Sequence, residues 1–200
     1  GSEMCIRDRY TFRASGMDLE LLDWLNTYTF PQEARYEDTE FAKEAYSVFA
    51  EDMKKSPNTR ACIFGTLHVP ATEILMEQLD KTGIKAMVGK VNMDRNGSPQ
   101  LQEESAQASA DATVQWIKDT LDKFENVKPI LTPRFTPSCS DELMEKLSEI
   151  QKKYHLPMQS HLSENFGEIA WVKELCPNTH FYGEAYSCLL YTSPSPRDRG

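Results

Sequence analysis

Short apolar segments alternate with amphipathic helical segments along most of this 200-residue chain. We predict buried strands at residues 61–67, 84–91, 127–131 and 158–161, and residues 179–182 are a candidate start of a fifth. Four strand–helix units in succession predict a parallel sheet covered by helices, because parallel strands need long crossover connections. This α/β pattern fits both a doubly wound sheet and a (β/α)8 barrel, and the pattern alone leaves the two open.

Helical periodicity, with apolar residues on one face, predicts the segments between the strands. Asp18, Asp38 and Ser140 precede three of these segments and have side chains that cap helix N-termini. Thr29-Phe30-Pro31 is expected to break the first helix. Glu103-Glu104 is expected to begin the longest, where the helix dipole favours acidic residues. The predicted helices cover residues 19–25, 39–53, 70–81, 103–124, 141–154 and 166–175.

The charge balance and the cysteines limit the classes of function. The formal net charge of −9 argues against nucleic acid and anionic membrane surfaces as partners, since both attract clustered Lys and Arg. No apolar run approaches the roughly 20 residues that cross a bilayer, and the N-terminus lacks the apolar core of a signal peptide. The five cysteines are scattered, which fits reduced thiols in a cytoplasmic protein.

The two ends of the chain differ in character from the middle. Residues 4–9 and the Ser/Pro-rich residues 188–199 show neither helix nor strand periodicity, and both are similar to translations of a sequencing adapter. We therefore expect residues 1–9 and 188–200 to be non-native tails that flank one domain at residues 10–187. On this interpretation the chain is a truncated open reading frame, although a natural disordered tail is the alternative.

Polar side chains follow each predicted strand. In parallel sheets the functional groups collect at the carboxyl ends of the strands. Imidazole is the commonest protein ligand for zinc and Glu is a common proton carrier, so His161 and Glu164 suggest a metal ligand beside a general acid/base. The residues at the four strand ends are His68, Asn92 with Asp94, Arg134 with Phe135, and His161 with Glu164.

Each of these residues also has a purely structural interpretation. A lone His at a strand end is more often a polar residue near solvent than a ligand. Arg134 has the alternative of a surface position, and Asn92 with Asp94 has the alternative of capping a loop. His155 and His180 are expected to be solvated or structural, whereas His68 and Asn92 are candidates for a supporting contact behind the ligands.

Several motifs together resemble the guanine deaminase family of the amidohydrolase superfamily, whose members are metal-dependent (β/α)8 barrels. The resemblance runs from about Tyr10 to Tyr186 and is strongest in the last two motifs. The motifs are Leu21-Leu22-Asp23-Trp24-Leu25, Tyr28-Thr29-Phe30-Pro31, Gly89-Lys90-Val91-Asn92-Met93-Asp94, Thr132-Pro133-Arg134-Phe135 and Gln159-Ser160-His161-Leu162-Ser163-Glu164-Asn165.

The resemblance implies a fold and a role for four residues. It implies about strands two to five of the barrel, with His161 as a metal ligand and Glu164 as the group that moves a proton between water and the purine. It implies that Arg134 and Phe135 bind guanine, the first by hydrogen bonds and the second by stacking. The implied cofactor is zinc, with iron as the alternative, and the implied assembly is a possible homodimer.

The chain departs from the family's pattern in its metal ligands. The family carries a His-x-His pair on its first strand and further His and Asp ligands on later strands, and neither set occurs here. We therefore expect a fragment of a guanine aminohydrolase that is inactive alone. The alternatives are another deaminase of the superfamily, acting on a related heterocycle, and a non-catalytic fragment.

Overall fold

A computed structural model describes residues 21–187 of the chain. The candidate cap Asp18 and both adapter-like ends lie outside these residues. The helices are α1 (Leu21–Trp24), α2 (Phe30–Ala34), α3 (Thr39–Lys55), α4 (Val69–Asp80), α5 (Ala106–Thr120), α6 (Asp141–Tyr154), α7 (Phe166–Leu175) and α8 (Tyr182–Ser187). The strands are β1 (Arg60–Phe64), β2 (Lys85–Gly89), β3 (Val91–Asn92), β4 (Val127–Pro129) and β5 (Thr132–Pro133).

The strands form a parallel sheet in the order of the sequence. Strand β2 pairs in parallel with β1 on one side and with β4 on the other. Strands β3 and β5 continue β2 and β4 after short interruptions and pair with each other in parallel. The first three predicted strand–helix units are therefore present, and neighbours in sequence are neighbours in the sheet.

The predicted fourth strand forms only in part. Met158 makes an isolated parallel bridge with Leu131, and the backbone continues alongside through Gln159 N–H to Leu131 O (2.9 Å) and His161 N–H to Arg134 O (3.2 Å). The segment has this partner on one side, so it takes up an extended path next to β5 without becoming a regular strand.

Alternate side chains on the first halves of the strands separate two faces of the sheet. Ala86 and Val88 are buried under the helices, whereas Cys62, Met87 and Lys128 are exposed on the other face. A doubly wound sheet would carry helices on both faces. Sequential strand order with helices on one face is the arrangement of a (β/α) barrel wall, so the described residues form part of a barrel.

Gly89 allows the two central strands to approach closely before the site. A Cβ atom at this position would lie 1.7 Å from Thr132 Oγ1 and 2.7 Å from the Ile130 carbonyl oxygen. Any side chain at position 89 would therefore push β5 away from β2. The glycine sets the spacing of the strand ends that carry Asn92 and Arg134.

Two predicted helix boundaries are wrong. Thr29-Phe30-Pro31 does not break the first helix, because a π-helical turn at Leu25–Thr29 lets the chain continue into α2. In that wider turn Phe30 N–H bonds to Leu25 O, and Pro31 follows where a missing N–H is tolerated. The helix predicted to be the longest begins at Ala106 with Ser105 as N-cap and ends at Thr120, which makes it shorter than α3. Glu103 lies before the helix, and its carboxylate pairs with Lys90.

The candidate fifth strand at residues 179–182 is also wrong. Thr179 N–H and its hydroxyl both bond to Cys176 O, which closes a turn after α7. His180 N–H donates to the Glu184 carboxylate at 2.5 Å, so this residue caps α8. Local side-chain capping therefore determines this segment. The predicted caps Asp38 and Ser140 are confirmed, since each accepts backbone N–H groups of the helix that follows.

The core lies between the sheet and its helices. Helix α3 packs on α4 and α5 packs on α6, and the largest fully buried side chains include Trp116, Tyr46 and Leu75. Over residues 21–187 every helix is too short or too polar to cross a membrane.

Candidate active site

The carboxyl end of the sheet brings Arg134 and His161 together through the Arg134 backbone. The carbonyl oxygen of Arg134 lies 3.2 Å from His161 N and 2.8 Å from His161 Nδ1, and it also accepts the Ser160 hydroxyl at 3.2 Å. Both side chains are almost fully buried, with 6% of Arg134 and 8% of His161 exposed. The two strand exits that the sequence singled out most strongly are therefore adjacent.

The ring of His161 is held in one tautomer. A carbonyl oxygen only accepts hydrogen bonds, so Nδ1 carries the proton that is directed at Arg134 O. Nε2 is then the nitrogen with the lone pair, as a metal ligand requires. The Phe64 ring lies 4.3 Å from the imidazole, centroid to centroid, and limits its rotation.

The guanidinium of Arg134 is fixed by three partners from distant parts of the chain. Nη1 donates to Glu33 Oε2 at 2.8 Å in a buried ion pair. Phe30 places its ring 4.9 Å from the guanidinium carbon, and Met93 Sδ lies 3.7 Å from Nη1. The π-helical turn before α2 brings Phe30 and Glu33 to this position. A paired and stacked guanidinium has a defined direction for its remaining donors.

Glu33 has a second oxygen whose environment is unusual. The residue is completely buried, and Oε1 has no hydrogen-bond partner within residues 21–187. Burying an unsatisfied polar atom costs free energy, so this oxygen is a candidate acceptor for a ligand group or a water molecule. Position 33 lies 101 residues before Arg134, and no local pattern in the sequence indicated the pair.

Phe135 and Glu164 occupy contrasting positions. Phe135 is buried and meets the Trp171 ring edge-on at 6.4 Å, so it forms an apolar wall beside the Arg134 backbone. Glu164 has an exposed side chain. It follows Ser163, whose φ of 55° is in the left-handed region, and this turn directs the chain from the end of the sheet into α7.

A polar network supports the adjacent strand end. Lys90 is fully buried and pairs with Glu103, whose other oxygen accepts Met93 N–H at 3.1 Å and the Ser109 hydroxyl at 2.5 Å. Burial lowers the pKa of Lys90, while the Glu103 carboxylate raises it. The pair anchors the segment that presents Met93 to Arg134.

Asn92 is directed away from the sheet end and toward helix α5. Its amide nitrogen donates to Ser109 Oγ at 2.8 Å and to Thr113 Oγ1 at 2.7 Å. Its main-chain carbonyl accepts Arg134 N–H at 3.1 Å. Asn92 therefore contributes through its backbone and through the α5 contact.

His68 lies at the end of the first strand, beside acidic groups. Burial lowers its pKa from the ordinary value, against the opposing effect of the Glu37, Glu33 and Glu103 carboxylates. Its Nε2 is buried and bonds to none of the described residues. A neutral imidazole at this place is compatible with the predicted supporting role, which stays a prediction.

The described residues do not assemble a complete metal site. Within residues 21–187 there is no group of three or more His, Cys, Asp and Glu side chains placed to hold a metal ion. A zinc ion in a catalytic site has about three protein ligands plus water. His161 has the tautomer that a metal ligand requires, and its role as a ligand stays a prediction.

Comparisons with known proteins identify the relatives of this chain. The amidohydrolase family model matches residues 7–188 of the chain. Guanine deaminase from Rattus norvegicus is 44% identical over 179 residues, which are 89% of this chain and 39% of the rat protein. Guanine deaminase from Escherichia coli is 34% identical over 171 residues, 84% of this chain and 38% of the bacterial protein. The chain thus spans about two fifths of the length of these curated relatives.

Solved structures show the same relationship. The crystal structure of guanine deaminase from C. acetobutylicum, with guanine bound in its active site, is 47% identical with a TM-score of 0.89, and the match covers 93% of this chain and 44% of that one. An adenosine deaminase from Xanthomonas campestris with bound zinc shares the fold at 16% identity and a TM-score of 0.68, over 86% of this chain and 37% of that one. The family model matches nearly the whole chain, and this chain therefore belongs to the amidohydrolase family.

Proposed function

We propose that the protein carrying this chain hydrolyses guanine to xanthine and ammonia. The observation that carries the proposal is the convergence of Arg134, Phe135 and His161 at one end of the sheet, in a chain 47% identical to a deaminase with guanine in its active site. These three positions are the ones that the sequence motifs assigned to purine binding and metal ligation.

Arg134 is the group that would orient the purine. Its guanidinium is held by Glu33 and stacked on Phe30, so its hydrogen-bond donors are directed before substrate arrives. Guanine presents acceptors at O6 and N7, which suit a planar guanidinium. Phe135 offers an aromatic surface next to the Arg134 backbone, and aromatic surfaces cover heterocyclic rings well.

His161 is proposed to be one ligand of a zinc ion, with iron as the alternative. The observation behind this is the Nδ1–H bond to Arg134 O, which makes Nε2 the nitrogen that carries the lone pair. A bound zinc ion would supply water with a pKa lowered toward about 7. The remaining ligands are proposed to come from outside residues 21–187.

Glu164 is proposed to carry the protons of the reaction. Water adds to the carbon that bears the exocyclic amine, and the Glu164 carboxylate takes up a proton from that water. The same proton passes to the adjacent ring nitrogen, and a second transfer to the amine lets ammonia leave as the C–N bond breaks. Atoms balance as guanine plus water giving xanthine plus ammonia. The Glu164 side chain is exposed, so the distance from its carboxylate to the purine depends on where the Glu164 backbone lies.

The experiment is a chimera in which residues 10–187 replace the matching segment of the C. acetobutylicum deaminase. Conversion of guanine to xanthine, followed by absorbance and by ammonia release, is the expected result. A folded, metal-loaded chimera that deaminates another amino-heterocycle and leaves guanine unchanged would contradict the substrate assignment. Inactivity toward every heterocycle offered would support the non-catalytic alternative.

In the active chimera, Glu164→Gln is expected to lower kcat by about 10²- to 10⁴-fold, the usual contribution of a general acid/base. Metal content should stay unchanged, since the role concerns protons. The matched control is Glu174→Gln, an exposed carboxylate further along α7, which should leave kcat as it was. Near-normal turnover by Glu164→Gln would remove Glu164 from its role.

The compartment and the assembly are proposals of the same kind. We propose a cytoplasmic protein, because the three cysteines in the described part, Cys62, Cys139 and Cys176, are free thiols. The homodimer remains a prediction, and sedimentation of the chimera at several concentrations would test it.

A further inference from the structure

The buried carboxylate of Glu168 accepts hydrogen bonds from two donors. The residue is 1% exposed although it lies in the first turn of α7. Its Oε2 accepts the backbone N–H of Glu164 at 2.8 Å, and its Oε1 accepts the Tyr182 hydroxyl at 2.5 Å. The carboxylate therefore joins the turn that carries Glu164 to the last described helix.

A second contact from the same helix fixes the other end of that turn. The Tyr186 hydroxyl donates to His161 O at 2.7 Å, accepts Thr136 N–H at 3.1 Å and lies 2.9 Å from Ser160 Oγ. Tyr186 and Tyr182 are one helical turn apart and their rings stack at 5.9 Å. Helix α8 thus contacts the backbone of His161 directly and that of Glu164 through Glu168.

Ordinary helix capping does not account for this arrangement. A Glu in the first turn of a helix commonly reaches back to the N-cap residue, from a solvated position. Here Asn165 is the N-cap and bonds to Gly167 N–H, while Glu168 reaches one residue further back, to Glu164. Helix α7 is already capped by Asn165, so burying the Glu168 carboxylate against a tyrosine hydroxyl adds a connection beyond that cap.

We propose that Glu168 is a positioning residue for Glu164. Its buried carboxylate fixes the backbone from which the exposed Glu164 side chain extends, and Tyr182 holds Glu168 from the opposite side. Ser163 has a left-handed backbone conformation, and the hydrogen bond from Glu164 N–H to Glu168 fixes the backbone directly after it. The inference rests on the proposed function, because it gives a role to Glu168 only through the proton transfer assigned to Glu164.

The substitution that tests the contact is Glu168→Met in the active chimera. Met has a similar length and no acceptor for the two donors, so the Glu164 backbone loses its anchor. Turnover should fall by about 10- to 100-fold, the size of effect that misplacement by about 1 Å produces. The conservative variant Glu168→Gln keeps an oxygen for Glu164 N–H and can donate to the Tyr182 oxygen, so it should recover most of the activity. The control is Glu174→Met, on the same helix and exposed.

A double-mutant cycle separates positioning from a general structural role. If Glu168 acts through Glu164, then Glu168→Met in the Glu164→Gln background should lower turnover further by less than about twofold, because contacting residues are not additive. Equal losses in both backgrounds, normalised to bound metal, would overturn the proposal and leave Glu168 as a stabilising residue. Wild-type turnover by Glu168→Met would overturn it as well.

Amide hydrogen exchange at Glu164 gives a readout independent of activity. Loss of the bond to Glu168 should speed exchange of the Glu164 amide by about tenfold, the equivalent of one hydrogen bond of roughly 1.4 kcal/mol, and Glu174→Met should leave it unchanged. If the unsubstituted chimera does not turn over guanine, the proposed function fails, and the exchange rate still decides whether Glu168 holds the Glu164 backbone. Unchanged exchange in a folded Glu168→Met variant would overturn the positioning proposal. If Glu168→Met does not fold, Tyr182→Phe removes the supporting hydroxyl and serves in both measurements, with a smaller loss of the same kind expected.

Discussion

The two ends of the strands differ in how they are covered. At the carboxyl end (the closed end), residues 129–139 are all buried, and polar groups there meet partners from other elements. In the amino-terminal halves, Cys62 and Met87 are exposed on the face away from the helices (the open face). A cavity of 670 Å³ lies there, and it is lined by Arg60, Ala61, Cys62, Lys85, Ala86, Met87, Glu125, Asn126 and Lys128.

The closed end is stabilised by contacts among residues of this chain, and the open face is not. The candidate site is supported by pairs formed among the described residues, Arg134 with Glu33 and Lys90 with Glu103. Its geometry is therefore set before a ligand binds, which is what a binding group needs. The open face has apolar and basic side chains in contact with solvent, so the stability of this part of the sheet depends on whether another protein surface covers it.

The largest difference between the two regions is expected in thiol reactivity. Burial raises the pKa of Cys139, at the closed end, to about 12. At pH 8 its thiolate fraction should be about 1,000-fold below that of an ordinary thiol, before any effect of access. Cys62 lies on the open face. Iodoacetamide labelling of the native chain, read by peptide mass spectrometry, should modify Cys62 rapidly and Cys139 only after denaturation.

Equal labelling of the two thiols would show that the closed end opens readily in solution. Protection of Cys62 would show that the open face is covered by another copy or by another part of the protein. Denatured chain, in which both thiols react, is the control.

Stability should depend strongly on the closed end. Lys90→Met leaves the Glu103 carboxylate buried without its cation, and breaking a buried pair in this way costs about 3–5 kcal/mol. Lys81→Met removes the exposed pair with Glu77, which should cost less than about 1 kcal/mol. Urea denaturation of the three proteins would measure both values. Similar midpoints for the two variants would contradict the view that polar pairs hold the closed end together.

Much of this architecture was predictable from the chain, because it depends on local patterns. The apolar runs predicted three of the four strands, and two of the residues that follow the predicted strands, Arg134 and His161, do lie together at one end of the sheet. The resemblance implied a metal ligand at His161, and that role stays a prediction. Asp38 and Ser140 were recognised as caps since capping involves only residues three positions apart.

The contacts that fix the site were not predictable for the opposite reason. Glu33 meets Arg134 across 101 residues, and its segment contains a Pro that normally ends helices. Glu103 had the pattern of an exposed helix start, yet it pairs with a lysine 13 residues earlier. Residues 179–182 have strand-like side chains, and capping of α8 by the His180–Glu184 contact prevails. Pairing between residues far apart in the chain leaves no local signal, whereas the His180–Glu184 contact is local and competes with a strand-like pattern of side chains.

Self-association should depend moderately on the open face. Met87 is 38% exposed there, beside the basic groups Arg60 and Lys85. Met87→Lys removes apolar area that a second copy would cover and adds like charge. It should raise the dissociation constant of any oligomer by about fivefold, or roughly 1 kcal/mol. Val48→Lys, on the outer side of α3 and 56% exposed, is the matched control. Sedimentation velocity over a range of concentrations would measure both.

An equal effect of Val48→Lys would show that association is unspecific. If Met87→Lys has no effect and Phe166→Lys, at a position 90% exposed on α7, dissociates the oligomer, then the contact lies at the other end of the sheet. That result would reverse the assignment of the closed end as the self-sufficient one.

The smallest expected effect concerns pH and the first strand's exit, where the two regions meet. Burial lowers the pKa of His68 below 6.5, and the Lys90 cation lowers it further. The Glu37, Glu33 and Glu103 carboxylates raise this pKa but do not outweigh burial. Above pH 6.5 the imidazole is neutral in both states and contributes nothing to the pH dependence. As the pH falls below 6.5 the unfolded chain takes up the proton first, so the free energy of unfolding decreases until the folded-state pKa is reached.

His68→Gln should abolish this part of the slope between pH 7 and pH 5. His155→Asn, at an exposed position whose φ of 54° Asn tolerates, should keep it. Urea midpoints at pH 7, 6 and 5 would show wild type and His68→Gln drawing apart on acidification, with the variant keeping more of its stability. A constant difference across that range would mean that His68 is as solvated as the open face, and the boundary between the two regions would then lie beyond the end of β1.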